Sequence, residues 1–273
     1  MSWKPLHEAH AIDRVRMLIS FDEPLPDKPL SRAANMIVPE ALNLGFDTVE
    51  RAASAIQEVT IQGQVNFPLG FAQPTQRLNG WVLKRQDEGR LLEEAGYRDA
   101  VFGFMTVEYT RWVNVSSRFW ELFEKPLELA LESVSVQTVK IEYWDQFIFD
   151  GEVSGPDARE LFREIDSSLP ADVIEGGGLW HSHIGWFEHS SEVPVLINRN
   201  IDMFDRELDG VQRRVASVYT MADLRVPQGL ELEVNLVREH LDFMHKRLVR
   251  LFGETIQPQA RAMVGIKLEA YVQ

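Results

Sequence analysis

The sequence predicts an α+β protein with a mostly antiparallel sheet and two long amphipathic helices. Several stretches alternate apolar and polar residues with the period of two that a half-buried strand requires. Short turn signals, such as the Asp-Glu-Gly run at residues 87–89, join some of these stretches, so neighbouring strands are expected to be antiparallel. Two other stretches space their apolar residues by three and four, which is typical of a helix that buries one face.

The N-terminal half is expected to contain strands followed by a helix. The predicted strands span 14–21, 59–65, 81–86, 90–94 and 101–112. A partly helical stretch at 31–44 is expected to be interrupted by Pro39, because proline removes a helix hydrogen bond. A longer helix is expected to open at Ser116-Ser117 and to be kinked or split at Pro126.

The C-terminal half repeats this order of elements. The predicted strands span 134–149, 180–189, 193–205 and 213–225. A short helix is expected at 156–165, and a long helix at 232–252 is expected to end at Gly253. Pro258 then starts a short helix over 259–264.

Each half therefore contains several strands and then an amphipathic helix. We place the division between residues 133 and 134, so that 1–133 and 134–273 form either two similar units or one continuous domain. The two halves share an order of elements but no clear residue-level repeat.

Composition excludes several classes of chemistry. The 273-residue chain has no cysteine, which excludes disulfides, thiolate zinc sites and a cysteine nucleophile. Its formal net charge of -14 argues against direct nucleic-acid binding, since phosphate neutralisation needs clustered Lys and Arg. No apolar run is long enough for a membrane span, and residues 1–10 lack the apolar core of a signal peptide. We therefore expect a cytoplasmic protein with no membrane partner.

Three of the seven histidines lie within nine residues, at His181, His183 and His189. At strand period these three share one face, while Trp180, Ile184 and Trp186 share the other. Two imidazoles two residues apart on one strand face could both bind a divalent transition metal ion. The segment thus has two interpretations, a metal site or an ordinary strand with its histidines outward.

The spacing His181-x-His183 followed by Glu188 resembles the first metal motif of cupins. In a straight strand, however, Glu188 points away from both histidines, and no later glycine-rich segment with a further histidine follows. Of the two interpretations we favour the strand.

No catalytic residue and no organic cofactor site is predicted. The glycines at 176–178 lack the residues of a phosphate-binding loop, and the chain contains no nucleophile elbow. His240 and His245 differ in direction by roughly 140° on one helix, so they cannot share a metal ion. His245 is expected to pair with a nearby carboxylate. The aromatic residues Trp112, Trp120, Tyr143 and Trp144 indicate core packing or an interface.

The end of the chain resembles a sporadically distributed family of uncharacterised bacterial proteins. The run at 241–245, a Leu-x-x-x-His, is followed by Phe252 and Ile256, as in the last helix of that family. The strand from Phe104 into Tyr109-x-x-Trp112 is also similar, whereas Glu-Tyr-Trp at 142–144 departs from the family's Arg-Tyr-Asn. The resemblance implies no established reaction, catalytic residue or cofactor.

Three functions follow as expectations. The first is a non-enzymatic protein-binding component, which for such a bacterial family suggests an accessory system such as antiphage defence or toxin neutralisation. The second is a metal-dependent enzyme or sensor that uses His181 and His183. The third is a small-ligand binding protein with a groove between the sheet and the long helix.

Overall fold

The computed structural model describes residues 3–56, 75–154, 156–163, 169, 178–189 and 193–271. It is an α+β protein with one antiparallel sheet of ten strands, which confirms the predicted fold class. The strands are β1 Trp3–Pro5, β2 Ile12–Phe21, β3 Thr48–Ile56, β4 Thr75–Asp87, β5 Arg90–Arg98, β6 Val101–Thr106, β7 Val136–Phe149, β8 Trp180–Glu188, β9 Val195–Leu208 and β10 Val211–Arg225. The helices are α1 Asp27–Asn43, α2 Trp112–Leu131, α3 Val234–Thr255 and α4 Pro258–Met263.

The strands follow the order β3-β4-β5-β6-β2-β7-β10-β9-β8, and the short β1 pairs with the end of β7. In each half a long strand pairs with the last strand of the meander that follows it, β2 with β6 and β7 with β10. A helix then follows, α2 in the first half and α3 in the second. Because β2 also pairs with β7, the sheet continues across the junction between residues 133 and 134.

The main core lies between one face of the sheet and helices α1, α2 and α3. The core lies on this face because alternate residues of a strand point to the same side of the sheet. In β2 these residues are Val15, Met17 and Ile19, which are at most 1% exposed. The apolar stripe of α2 faces them through Phe119, Phe123 and others. A smaller cluster lies under β1 and α4 around Trp3, Phe147 and Phe162.

Both interior prolines lie within continuous helices, so the expected interruption at Pro39 is wrong and α2 is not split at Pro126. On both sides of Pro39, Ile37 and Ala41 are fully buried, and Pro126 is itself buried. Burial of the same helix face before and after each proline offsets the lost hydrogen bond.

Two helix boundaries also differ from expectation. Helix α2 begins at Trp112, not at Ser116, and β6 ends at Thr106. Helix α3 continues through Gly253, where an added Cβ would lie 2.9 Å from a side-chain atom of Leu268. Gly253 therefore permits close packing against the C-terminal segment and does not end the helix.

Other predicted elements have mixed outcomes. The hairpin turn is confirmed, with Glu88 and Gly89 at φ values of 47° and 80°. The predicted helix at 156–165 is reduced to a 3₁₀ turn over Ala158–Glu160, and residues 164–168 lie outside the described residues. The predicted strand at 59–65 and the glycines at 176 and 177 also lie outside them. Within the part of the chain that the structure describes, no helix is long and apolar enough to span a membrane.

Candidate functional site

Strand β8, which carries the histidine segment, is the last strand in the order of the sheet. It pairs with β9 along its whole length, so that His181 lies opposite Asp202 and His183 opposite Asn200. Across the described ranges, β8 has no strand on its other side. The outer side of β8 is therefore an edge of the sheet among the described residues, as is the outer side of β3 at the opposite end.

The inner face of β8 is anchored to the helix side of the molecule. Trp180 and Trp186 are half-buried, and Trp180 packs edge-to-face on Phe162 with ring centroids 6.0 Å apart. Glu188 accepts hydrogen bonds from Nε of Arg247 on α3 at 2.9 and 3.0 Å. Ile184, expected to be packed inward, is 38% exposed, so the middle of β8 is less covered than its two ends.

The outer face carries the candidate metal ligands. Nδ1 of His181 forms a hydrogen bond with Oδ1 of Asp202, and the rings of His181 and His183 are 6.4 Å apart. His189 instead stacks near Phe187, with ring centroids 6.5 Å apart. His189 lies six positions after His183, and six residues of extended chain span about 20 Å.

The structure thus pairs His181 with Asp202 and places the ring of His183 beside that of His181, but it leaves His189 apart. Glu188 lies on the opposite face, bound to Arg247, so the cupin-like spacing does not place it beside the histidines. Among the described residues, no three His, Asp or Glu side chains are grouped so that they could hold a metal ion.

The chemistry that the β8 edge offers is backbone pairing. No Lys, Arg or Pro, the usual protecting residues of edge strands, occurs in Trp180–Glu188. Phe187 and Ile184 instead expose apolar surface, Phe187 at 48%. Such an edge can accept an extended polypeptide as an additional strand.

A buried group that the sequence analysis misinterpreted lies under α3. His245 was expected to pair with a carboxylate, but its Nδ1 is 2.8 Å from the hydroxyl of Tyr143, and its ring stacks on Trp112 at 4.3 Å. Burial and, to a smaller extent, the nearby charge of Lys246 together lower the pKa of His245 to about 3. The signal was present, since His245 lies four residues after buried Leu241 and so on the same helix face.

The face of the sheet opposite the helices carries a second group, of which the sequence pattern had indicated only Trp144. Trp144 has the guanidinium of Arg14 4.3 Å from its ring centroid, and the ring of Tyr219 lies 4.9 Å away. Glu142, only 4% exposed, accepts hydrogen bonds from the Tyr219 hydroxyl and from Arg16. The polar positions of β2 between its buried residues were the available signal.

Comparison of the chain with protein-family models, with curated proteins and with solved structures gives no match.

Proposed function

We propose that this chain is a non-enzymatic, cytoplasmic protein-binding component that takes up an extended segment of a partner protein as a strand beside β8. The observation that carries the proposal is the outer edge of β8, which is nine residues long and has no pairing strand among the described residues. Backbone hydrogen bonds along such an edge supply affinity, and alternate side chains supply specificity.

The composition of β8 supports this interpretation. Natural sheets usually protect an edge with lysine, proline or a bulge, because an unprotected edge pairs with other chains. Strand β8 has a regular register with β9 from Trp180 to Glu188, without a bulge. The one carboxylate of β8, that of Glu188, forms a salt bridge with Arg247. The strand therefore carries no uncompensated carboxylate charge that would oppose the binding of a partner strand.

The partner segment is expected to alternate like β8 itself. Side chains on its inner face would lie beside Trp186 and Ile184, which favours apolar residues at every second position. Its other face would lie beside His181 and Phe187, which are solvent-exposed and accept polar or aromatic neighbours.

The test is selection of binding peptides from a displayed library, followed by affinity measurement with two matched variants. F187K introduces a charge at the β8 edge, whereas V49K makes the same change on β3, the strand at the opposite end of the sheet. The two side chains are similarly exposed, at 48% and 45%, so neither change disturbs the core.

We expect peptides with alternating apolar residues that bind the unmodified chain and V49K equally, and F187K about tenfold or more weakly. Equal affinity for both variants, or selected peptides without alternation, would contradict strand addition at β8.

A further inference from the structure

A cleft of about 640 Å³ lies in the N-terminal half, far along the sheet from β8. The connection between β1 and β2, the hairpin β4–β5, the segment after β6 and helix α2 all contribute to its wall. Its lining includes three arginines, two glutamates and two histidines, which are Arg85, Arg90, Arg118, Glu93, Glu108, His7 and His10.

The buried side chain of Glu93 fixes the positions of two arginines that line this cleft. It is 2% exposed, and both of its carboxylate oxygens accept hydrogen bonds from guanidinium groups. Nε of Arg118 donates to Oε1 at 2.9 Å, and Nε of Arg85 donates to Oε2 at 2.8 Å. Arg118 also donates to the backbone oxygen of Leu44 at 2.9 Å. The buried carboxylate therefore holds two guanidinium groups in fixed positions.

These guanidinium groups keep hydrogen-bond donors for a ligand. Each arginine has five N–H donors, and only the Nε and Nη2 atoms of Arg85 and Arg118 are engaged. Within the described residues, the Nη1 atoms of both have no partner. Arg90 is exposed at the start of β5, and its side chain forms no hydrogen bond with the part of the chain that the structure describes.

The charge of the lining has the opposite sign to the charge of the chain. Three arginines against two carboxylates leave one positive charge even when both histidines are neutral. The chain as a whole carries -14. A positive cleft on an acidic protein is suited to an anion and not to a cationic ligand.

We infer that this cleft binds a small molecule through an oxyanion, a phosphate or carboxylate group held by Arg85, Arg90 and Arg118. Guanidinium groups recognise such anions through paired N–H donors. Glu108, whose side chain is 49% exposed, now accepts a hydrogen bond from Nη2 of Arg85. An exposed ion pair contributes little stability, so an incoming oxyanion can replace Glu108 there. This inference is independent of strand addition at β8.

The experiment is isothermal titration calorimetry at constant ionic strength with two probes, pyrophosphate and citrate. R90A removes an exposed arginine at the cleft, and R98A removes an exposed arginine at the other end of the same strand. E108Q removes the carboxylate that competes for Arg85. Circular dichroism verifies that each variant is folded.

We expect at least one probe to bind, about tenfold more weakly to R90A and unchanged to R98A. E108Q should bind about two- to fivefold more tightly, since the competing pair is lost. The stronger probe identifies the oxyanion as phosphate or carboxylate. Absence of binding by both probes at millimolar concentration, or equal weakening in R90A and R98A, would overturn the inference.

Discussion

Folding strongly lowers the pKa of His245. This residue is 6% exposed, hydrogen-bonded to Tyr143 and stacked on Trp112, and its pKa falls to about 3 from an ordinary value of 6.5. Below pH 6.5 the unfolded chain gains a proton on this residue that the folded chain does not. Stability is therefore lost as the pH falls from 6.5 towards 3.

This predicts a pH-dependent difference between the unmodified chain and H245Q. From pH 7 to pH 5 the unmodified chain should lose about 2 kcal/mol of unfolding free energy through His245, and the variant should not. Buried Asp145, whose pKa is raised by burial, acts with the opposite sign. It is present in both proteins, so comparing their urea unfolding at the two pH values isolates His245. A difference that does not change with pH would contradict the prediction.

At the scale of elements, the turn between β4 and β5 has the backbone conformation that its sequence favours. Glu88 and Gly89 both have positive φ, and a Cβ added to Gly89 would meet nothing within 4 Å. The requirement for glycine at 89 is therefore one of backbone conformation and not of space.

We expect G89A to lower the free energy of unfolding by about 1 kcal/mol. E88N should raise it by a few tenths, because asparagine adopts positive φ more readily than glutamate. Urea denaturation midpoints of the three proteins measure both effects. A midpoint for G89A equal to that of the unmodified chain would show that the turn accepts alanine without strain.

Local pattern predicted eight of the ten described strands, because strand alternation depends on neighbouring residues, but it missed β1 and β3. The histidine strand is an example, since its parity correctly separated Glu188 from His181 and His183. The helix boundaries depended on distant contacts instead. Pro126 is accommodated in α2 because it is buried, and α3 continues through Gly253 where that residue packs against Leu268. Neither contact can be deduced from the residues next to Pro126 or Gly253 in the sequence.

At the scale of the whole molecule, the same limit applies to the sites. That β8 would be the last strand of the sheet depends on the order in which nine other strands pair, which alternation does not encode. The cleft likewise joins His7, Arg85 and Arg118 from three separate segments. Sequence analysis therefore found the residues of β8 but not its edge, and did not find the cleft.

Continuity of the sheet across β2 and β7 leads to a prediction for the two halves. If the chain were divided between residues 133 and 134, each half would expose the edge of the strand at which the halves join, β2 in one and β7 in the other. We expect residues 1–133 and 134–273, expressed alone, to show no cooperative thermal unfolding by circular dichroism. Two sharp, independent transitions would indicate two separately stable units.

The most direct test of strand addition is residue-resolved amide hydrogen exchange of β8 with and without a bound peptide. In an antiparallel ladder, alternate residues already bond to β9, so only every second amide of Trp180–Glu188 points away from β9 towards the outer edge. The account predicts that these alternate amides become protected on binding, while those of β3 at the other end of the sheet do not change. Protection that is absent from β8, or that appears only on other strands, would contradict it.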